Sequence, residues 1–147
     1  MPQASDSLTE ALREWFRGCP LLAAHAKIGV DYTPAEATEY AIYEVPSTLR
    51  YVENVLGEEI LADRQTQNFT FAAKLPYGAD VTQNLANAAF HEAIVLWIAQ
   101  QNQARAFPLF TGGIVNSITA TLTAYPAAVG SDAAQYQIQI RVTYRRR

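Results

Sequence analysis

The sequence predicts an α+β domain: an antiparallel or mixed sheet of about four to six strands, two main helices packed on one face, and a long β-hairpin. Three observations carry this. Two stretches, about 8–17 and 81–103, repeat apolar residues at helical spacing, and two others, 114–122 and 136–144, alternate residue by residue as strands do. The order of these elements (helix, strands, helix, strands) groups the strands as α+β folds do. At 147 residues and 16.2 kDa the chain fits a single domain, 1–147, with no internal repeat or low-complexity tract.

Ser7-Leu8-Thr9-Glu10 reads as a capping box, and Leu8, Ala11, Leu12, Trp15, Phe16 and Cys19 follow on one face. Gly18, expected in a left-handed cap, and Pro20 end this helix at about Arg17. Ile28 to Tyr32 and Tyr40 to Val45 are short strands flanking a turn at Thr33–Glu36. From Thr48 to Lys74 the chain reads as a long hairpin bent at Gly57-Glu58. Its return arm closes on Phe69, Phe71 and Ala73, which face one way. The arm's start, 62–67, is polar enough to be a solvated loop.

Pro76-Tyr77-Gly78 breaks the strand, and Asp80 with Gln83 makes a second capping box. The helix that follows, on the order of 33 Å long, lines up Leu85, Ala89, Ala93 and Trp97, with Phe90, Ile94 and Ile98 beside them. Its segment 94–98 is apolar all round and needs cover on every side: the sheet on one, and helix one or a neighbouring subunit on the other. Ile114, Ile118, Ala120 and Leu122 then face inward, as do Tyr136, Ile138, Ile140, Val142 and Tyr144, around a loop at 124–134.

Composition narrows the function. Hydrophobic residues make up 50%, whereas charged residues make up 17%, below the globular average of roughly 25%. A surface built from Gln, Asn, Thr and Ser fits either an oligomer or a monomer with an uncharged polar surface. A net charge of −3 gives no global basic footprint for nucleic acid. The single cysteine, Cys19, excludes an internal disulfide and fits a reducing compartment. No secretion signal is read at the start. The longest apolar run, Ala93–Ala99, falls far short of the roughly 20 residues a membrane helix needs, so no membrane partner is expected.

Catalytic patterns are scarce. His91-Glu92 lacks the second histidine of the zinc-protease motif, and His25 and His91 read as ordinary polar residues rather than metal ligands. Cys19 reads as a buried inert thiol, and Thr111-Gly112-Gly113 is too short for a phosphate loop. The expectation is a protein without enzyme activity, cofactor or metal. Two features are left as interaction candidates: the hairpin tip (Asn54, Leu56, Gly57, Glu58, Glu59) and the arginine terminus (Arg141, Arg145, Arg146, Arg147). Their opposite signs suit head-to-tail contacts in a ring, although a solvated tip and a solvated terminus are the plainer readings.

Several local strings also resemble the minor capsid or tail-completion proteins of tailed bacteriophages and prophages, a group that includes tail terminators. They are Gly18-Cys19-Pro20-Leu21-Leu22, Val30-Asp31-Tyr32, the Tyr40–Pro46 segment, the Gly57 hairpin, Phe69-Thr70-Phe71, Tyr77-Gly78, and 136–141 with Tyr144. The resemblance implies a virion subunit, assembled in the bacterial host's cytoplasm into a homohexameric ring at the head-proximal end of the tail. Such a ring stops tube growth and joins tail to head. Its implied partners are further copies of itself, the tail tube protein and head connector proteins, with DNA passing through unread. Another head–tail joining role, a peptide- or ligand-binding module, and a small enzyme using Cys19, His91 and Glu92 are the alternatives.

Overall fold

The computed structural model describes residues 5–22, 28–30, 39–76, 81–129 and 133–146. Among these the elements run α1 (Leu8–Arg17), β1 (Ile28–Val30), β2 (Glu39–Val45), β3 (Tyr51–Glu53), β4 (Glu59–Leu61), β5 (Arg64–Pro76), α2 (Val81–Ala104), β6 (Leu109–Phe110), β7 (Gly113–Val129) and β8 (Ala133–Arg146). Six strands form a mixed sheet in the order β1-β2-β5-β8-β7-β6, in which only β1 and β2 run parallel. Strands β3 and β4 make a separate two-stranded sheet. This is the α+β architecture that the sequence predicts, with both helices on one face.

Helix α1 starts as expected: the Ser7 hydroxyl accepts the Glu10 N–H at 3.1 Å. It ends differently, because Gly18 is right-handed, with φ −80°. The last turn tightens instead, with Gly18 N–H donating to Trp15 O and Cys19 N–H to Phe16 O, bonds that need no left-handed residue. The helix buries Ala11, Leu12 and Phe16 against the sheet, and Phe16 stacks on Phe71 with ring centroids 4.6 Å apart. At its edges the Thr9 hydroxyl donates to the Glu44 carboxylate, and Arg13 Nε donates to Ile28 O at 2.7 Å. These two bonds tie the helix to the strands on that side of the sheet.

The core follows from strict alternation in β2, β5 and β8. Tyr40 and Ile42, then Phe69, Phe71 and Ala73, then Tyr136, Ile138, Ile140 and Val142 all turn toward the helices. Strand β5 is a full member of this sheet from Arg64 onward, so the long 48–74 hairpin reduces to the short β3–β4 ribbon. The polarity of 62–67 favours a solvated loop, yet Ala62 and Gln65 are buried and the strand begins at Arg64.

Helix α2 buries a different line from the one its spacing favours. Asn87, His91, Ile94 and Ile98 go inward with Trp97, while Leu85 and Ala89 face out. A segment that is apolar all round gives no preferred face, so contact with the sheet decides, and the two isoleucines join Ile118, Ile138 and Ile140 in the core. Helix one covers part of the remainder: Trp15 lies 4.5 Å from Trp97, centroid to centroid. Leu96 stays 59% exposed, so cover on every side is not achieved within one chain.

Strand β7 departs from simple alternation. Its register slips between Val115 and Ser117, which turns Val115 inward and leaves Ile114 exposed, the reverse of the period-two expectation. Further slips fall between Leu122 and Tyr125 and between Pro126 and Ala128. Pro126 donates no backbone hydrogen bond and sits in this irregular stretch, so the strand runs on to Val129 where a loop was expected. Thr111-Gly112 instead forms the turn between β6 and β7. A Cβ on Gly113 would lie 2.5 Å from Arg145 O, so only glycine fits there. The expected turn at Thr33–Glu36, the capping aspartate Asp80, the Tyr77-Gly78 break and the tip 130–132 lie outside the described residues, as does residue 122's side chain.

Helix α2 ends on Arg105 in the left-handed conformation, φ 56°, with Ala106 N–H returned to Gln101 O at 3.0 Å. Glycine adopts this conformation without the Cβ clash that arginine pays. Arg105→Gly is therefore expected to raise stability, by up to about 1 kcal/mol, read as a higher urea midpoint at unchanged slope.

Candidate functional site

Among the described residues the β3–β4 ribbon holds the most exposed apolar side chains, Val55 and Leu56. Its turn is organised by Asn54, whose side-chain oxygen accepts the N–H groups of Leu56 at 2.9 Å and Glu58 at 3.0 Å. The Asn54 N–H donates to Glu58 O, and Gly57 N–H donates to Asn54 O. Gly57 takes φ +81°, a position glycine fills without strain. With the turn closed by backbone and carboxamide, Val55 and Leu56 point outward and are 102% and 79% exposed. Tyr51, Val52 and Ile60 add exposed apolar surface, and Glu53, Glu58 and Glu59 add negative charge around it.

The stem is anchored despite its shortness. Gln65, 2% exposed, has its side-chain oxygen accept the Arg50 N–H at 3.0 Å. Its amide nitrogen donates to Arg50 O and Ala62 O, both at 2.8 Å. From β8, Arg146 Nη2 donates to Leu61 O at 2.8 Å and Nε to Ala62 O at 3.1 Å, while its backbone N–H donates to Asp63 O. One buried amide and one guanidinium thus satisfy the carbonyls where the ribbon leaves the sheet. The ribbon is a fixed projection rather than a loose loop, because moving it would strand these carbonyls without partners.

The structure brings together Asn54, Leu56, Gly57, Glu58 and Glu59, the predicted tip residues, but with unequal parts. Leu56, Glu58 and Glu59 present surface, whereas Asn54 and Gly57 shape the turn. The arginine cluster does not stay together. Arg146 is occupied at the ribbon stem, Arg141 and Arg145 are exposed on the sheet face away from the helices, and Arg147 lies outside the described residues. Sequence reasoning missed Gln65, whose role depends on its place opposite Tyr144 at the sheet end, and Arg64, which stands opposite Arg145.

Two of the residues considered for chemistry, Cys19 and His91, are buried. Cys19 is buried, and burial pushes its thiol up, away from the thiolate a nucleophile needs. His25 lies outside the described residues. His91 is 2% exposed, and its Nδ1 lies 2.8 Å from the Asn87 carbonyl, which can only accept, so Nδ1 carries the proton. Nε2 is left as a buried acceptor without a partner, and the ring stacks on Tyr136. Burial holds the imidazole below its ordinary value of 6.5, partly opposed by the Asn87 bond. Among the described residues no three metal-ligating side chains converge, and no helix is long and apolar enough to cross a membrane. A groove of about 330 Å³ runs beside Trp15, Trp97, Phe107 and Pro108.

Replacing Gln65 by leucine is expected to cost about 1–3 kcal/mol, because Arg50 N–H loses its acceptor and Arg50 O and Ala62 O each lose one of two donors. Hydrogen exchange at Val52 and Ile60 should accelerate more than at Phe71 or Ile140, which separates loss of the stem from general loosening. For His91, the unfolded chain takes up the proton first as pH falls. The contribution of the neutral ring is therefore present above about pH 6.5 and lost progressively below it. Thermal melts between about pH 5 and 8 should show Tm falling on the acid side, and His91→Phe should flatten that fall.

No family model, curated protein or solved structure matches the chain.

Proposed function

We propose that the chain is a structural subunit of a tailed-phage or prophage tail, of the tail-terminator kind, which assembles with copies of itself into a ring at the head-proximal end. The observation that carries this reading is the apolar tip, Val55 and Leu56, held out on an anchored stem with nothing of its own chain over it. Exposing such residues on a fixed projection is unfavourable for a free monomer and useful against a partner. A second uncovered apolar line, Leu85 with Leu96 on the outer side of α2, lies on a different element. Two unlike apolar surfaces suit a heterologous contact, in which a patch on one subunit meets a different patch on the next and rotation closes the ring. Six as the number of subunits comes from the family resemblance alone.

In this role the work is steric. One ring face mates with the last layer of the tail tube and the other accepts no further tube subunit, leaving it to head connector proteins. The groove beside Trp15 and Trp97 favours a second reading, a module that binds an apolar peptide or small molecule without forming a ring.

Stopping this reading frame in its source phage or prophage should give overlong tails without heads by electron microscopy. Tails of normal length joined to heads would refute the terminator reading. Val55→Asp with Leu56→Asp should reproduce the overlong tails while leaving the melting temperature of the isolated protein within a few degrees, since both side chains are exposed.

A further inference from the structure

We propose that the sheet face turned away from the helices, at the end where β5 begins and β8 finishes, docks the phosphate backbone of duplex DNA without reading its sequence. The register puts Arg64 directly opposite Arg145, Thr66 opposite Thr143, and Asn68 opposite Arg141. By alternation all six project from this open face, because Phe69, Phe71, Ile138 and Ile140 project from the other. The result is a two-by-three grid of side chains able to donate hydrogen bonds, with three positive charges. Arg64, Arg141 and Arg145 are all exposed.

The grid is unbalanced within its own chain. Like charges directly opposite on neighbouring strands destabilise a sheet. Yet the open-face positions that flank the grid, Tyr43 and Val45 on β2, Thr70 on β5 and Gln139 on β8, carry no carboxylate; Glu39 stands at the opposite end of the sheet, against Lys74, and the ion pairs of Glu14 with Arg13 and Arg17 lie on α1. The protein as a whole carries net charge −3, so this face opposes the sign of the molecule. A pair of arginines kept together without a counter-charge is relieved by an anion from outside.

Three features select a phosphate backbone. Hydroxyl and amide groups between the arginines are the donors that contact phosphate oxygens alongside arginine. Arg141 and Arg145 are four residues apart, about 13 Å along the strand, a length over which duplex DNA presents on the order of seven phosphate charges. The face offers no free aromatic ring for stacking unpaired bases among the described residues, since Tyr43 is half-buried and engaged. The competing occupant is the acidic ribbon of a second copy. Its Val55 and Leu56 need apolar cover, and the grid of arginine, threonine and asparagine supplies none.

The test is fluorescence anisotropy of a labelled mixed-sequence duplex titrated with the full chain at several salt concentrations. Three phosphate contacts predict a log–log salt slope of about −2.7, so affinity falls about 40-fold between about 50 and 200 mM salt. Affinity should be the same for a second, unrelated duplex. Arg64→Gln/Arg141→Gln/Arg145→Gln should lower affinity at low salt at least about tenfold and bring the slope near zero. Arg64→Gln alone should reduce the slope by about one, which keeps the test valid if the triple variant misfolds. A triple variant that binds as tightly as the natural chain, or a natural chain that leaves the duplex free at about 50 mM salt, overturns the proposal. Loss of self-association in the triple variant with no duplex bound by either protein would assign the face to the acidic ribbon instead. None of these readouts depends on tail length, so this inference and the ring reading fail separately.

Discussion

The antiparallel register between β5 and β8 is the constraint on which the rest of the structure depends. It runs without a slip from Arg64 opposite Arg145 to Pro76 opposite Ala133. Because side chains alternate, a shift of one residue would exchange every one of them between the two faces. The present register turns Phe69, Phe71, Ile138 and Ile140 to the helices and gives Phe16 the ring it stacks on. The same register sets Gln65 and Arg146 where the ribbon leaves the sheet, and sets Arg64 and Arg145 side by side on the opposite face. Core, stem and cationic face are three consequences of one pairing.

A sheet of this size has two faces, and two helices cover only one of them. Toward the ribbon this face is wet and carries threonine, asparagine and arginine, whereas Ala41, Thr70 and Ala72 farther along it are buried. The helix layer is incomplete in its turn. Trp97 is covered by Trp15, but Leu85 and Leu96 on the outer side of α2 are not. What the chain leaves uncovered therefore differs in chemistry from place to place: apolar on the ribbon and on α2, and cationic and hydroxyl-rich on the open sheet.

How legible these features are in the sequence depends on whether each is decided locally. Helix α1 is: Ser7, Glu10, Gly18 and Pro20 mark its ends, and its apolar stripe matches the face it buries. The alternation of β8 is likewise plain. The buried line of α2 is not, because residues 94–98 are apolar in every direction and contact with the sheet chooses among them. Strand β7 misleads only before its bulge near Asn116: Ile118 faces inward as its alternation predicts, but Val115 rather than Ile114 does so ahead of it, and a period-two reading has no signal for an extra residue. The tip of the candidate site is readable from Gly57 and the apolar residues before it. The stem is not, since a glutamine in a polar run looks like loop until its strand neighbours are known.

The arginines, too, group differently along the chain and across the sheet. Read along the chain, Arg141 and Arg145–Arg147 form one basic terminus that pairs naturally with the acidic ribbon. Read across the sheet, Arg146 belongs to the ribbon stem, and Arg64, far away in sequence, joins Arg145. The opposite charges of ribbon and open face suggest a mutual contact only while both are treated as charge alone. Adding polarity separates them: an apolar tip gains nothing from a surface of hydroxyls and guanidinium groups, and an unpaired arginine row gains nothing from Val55 and Leu56. One partner cannot satisfy both surfaces. A subunit that carries the two on different faces is suited to sit between unlike neighbours, with protein against the ribbon and a polyanion against the sheet.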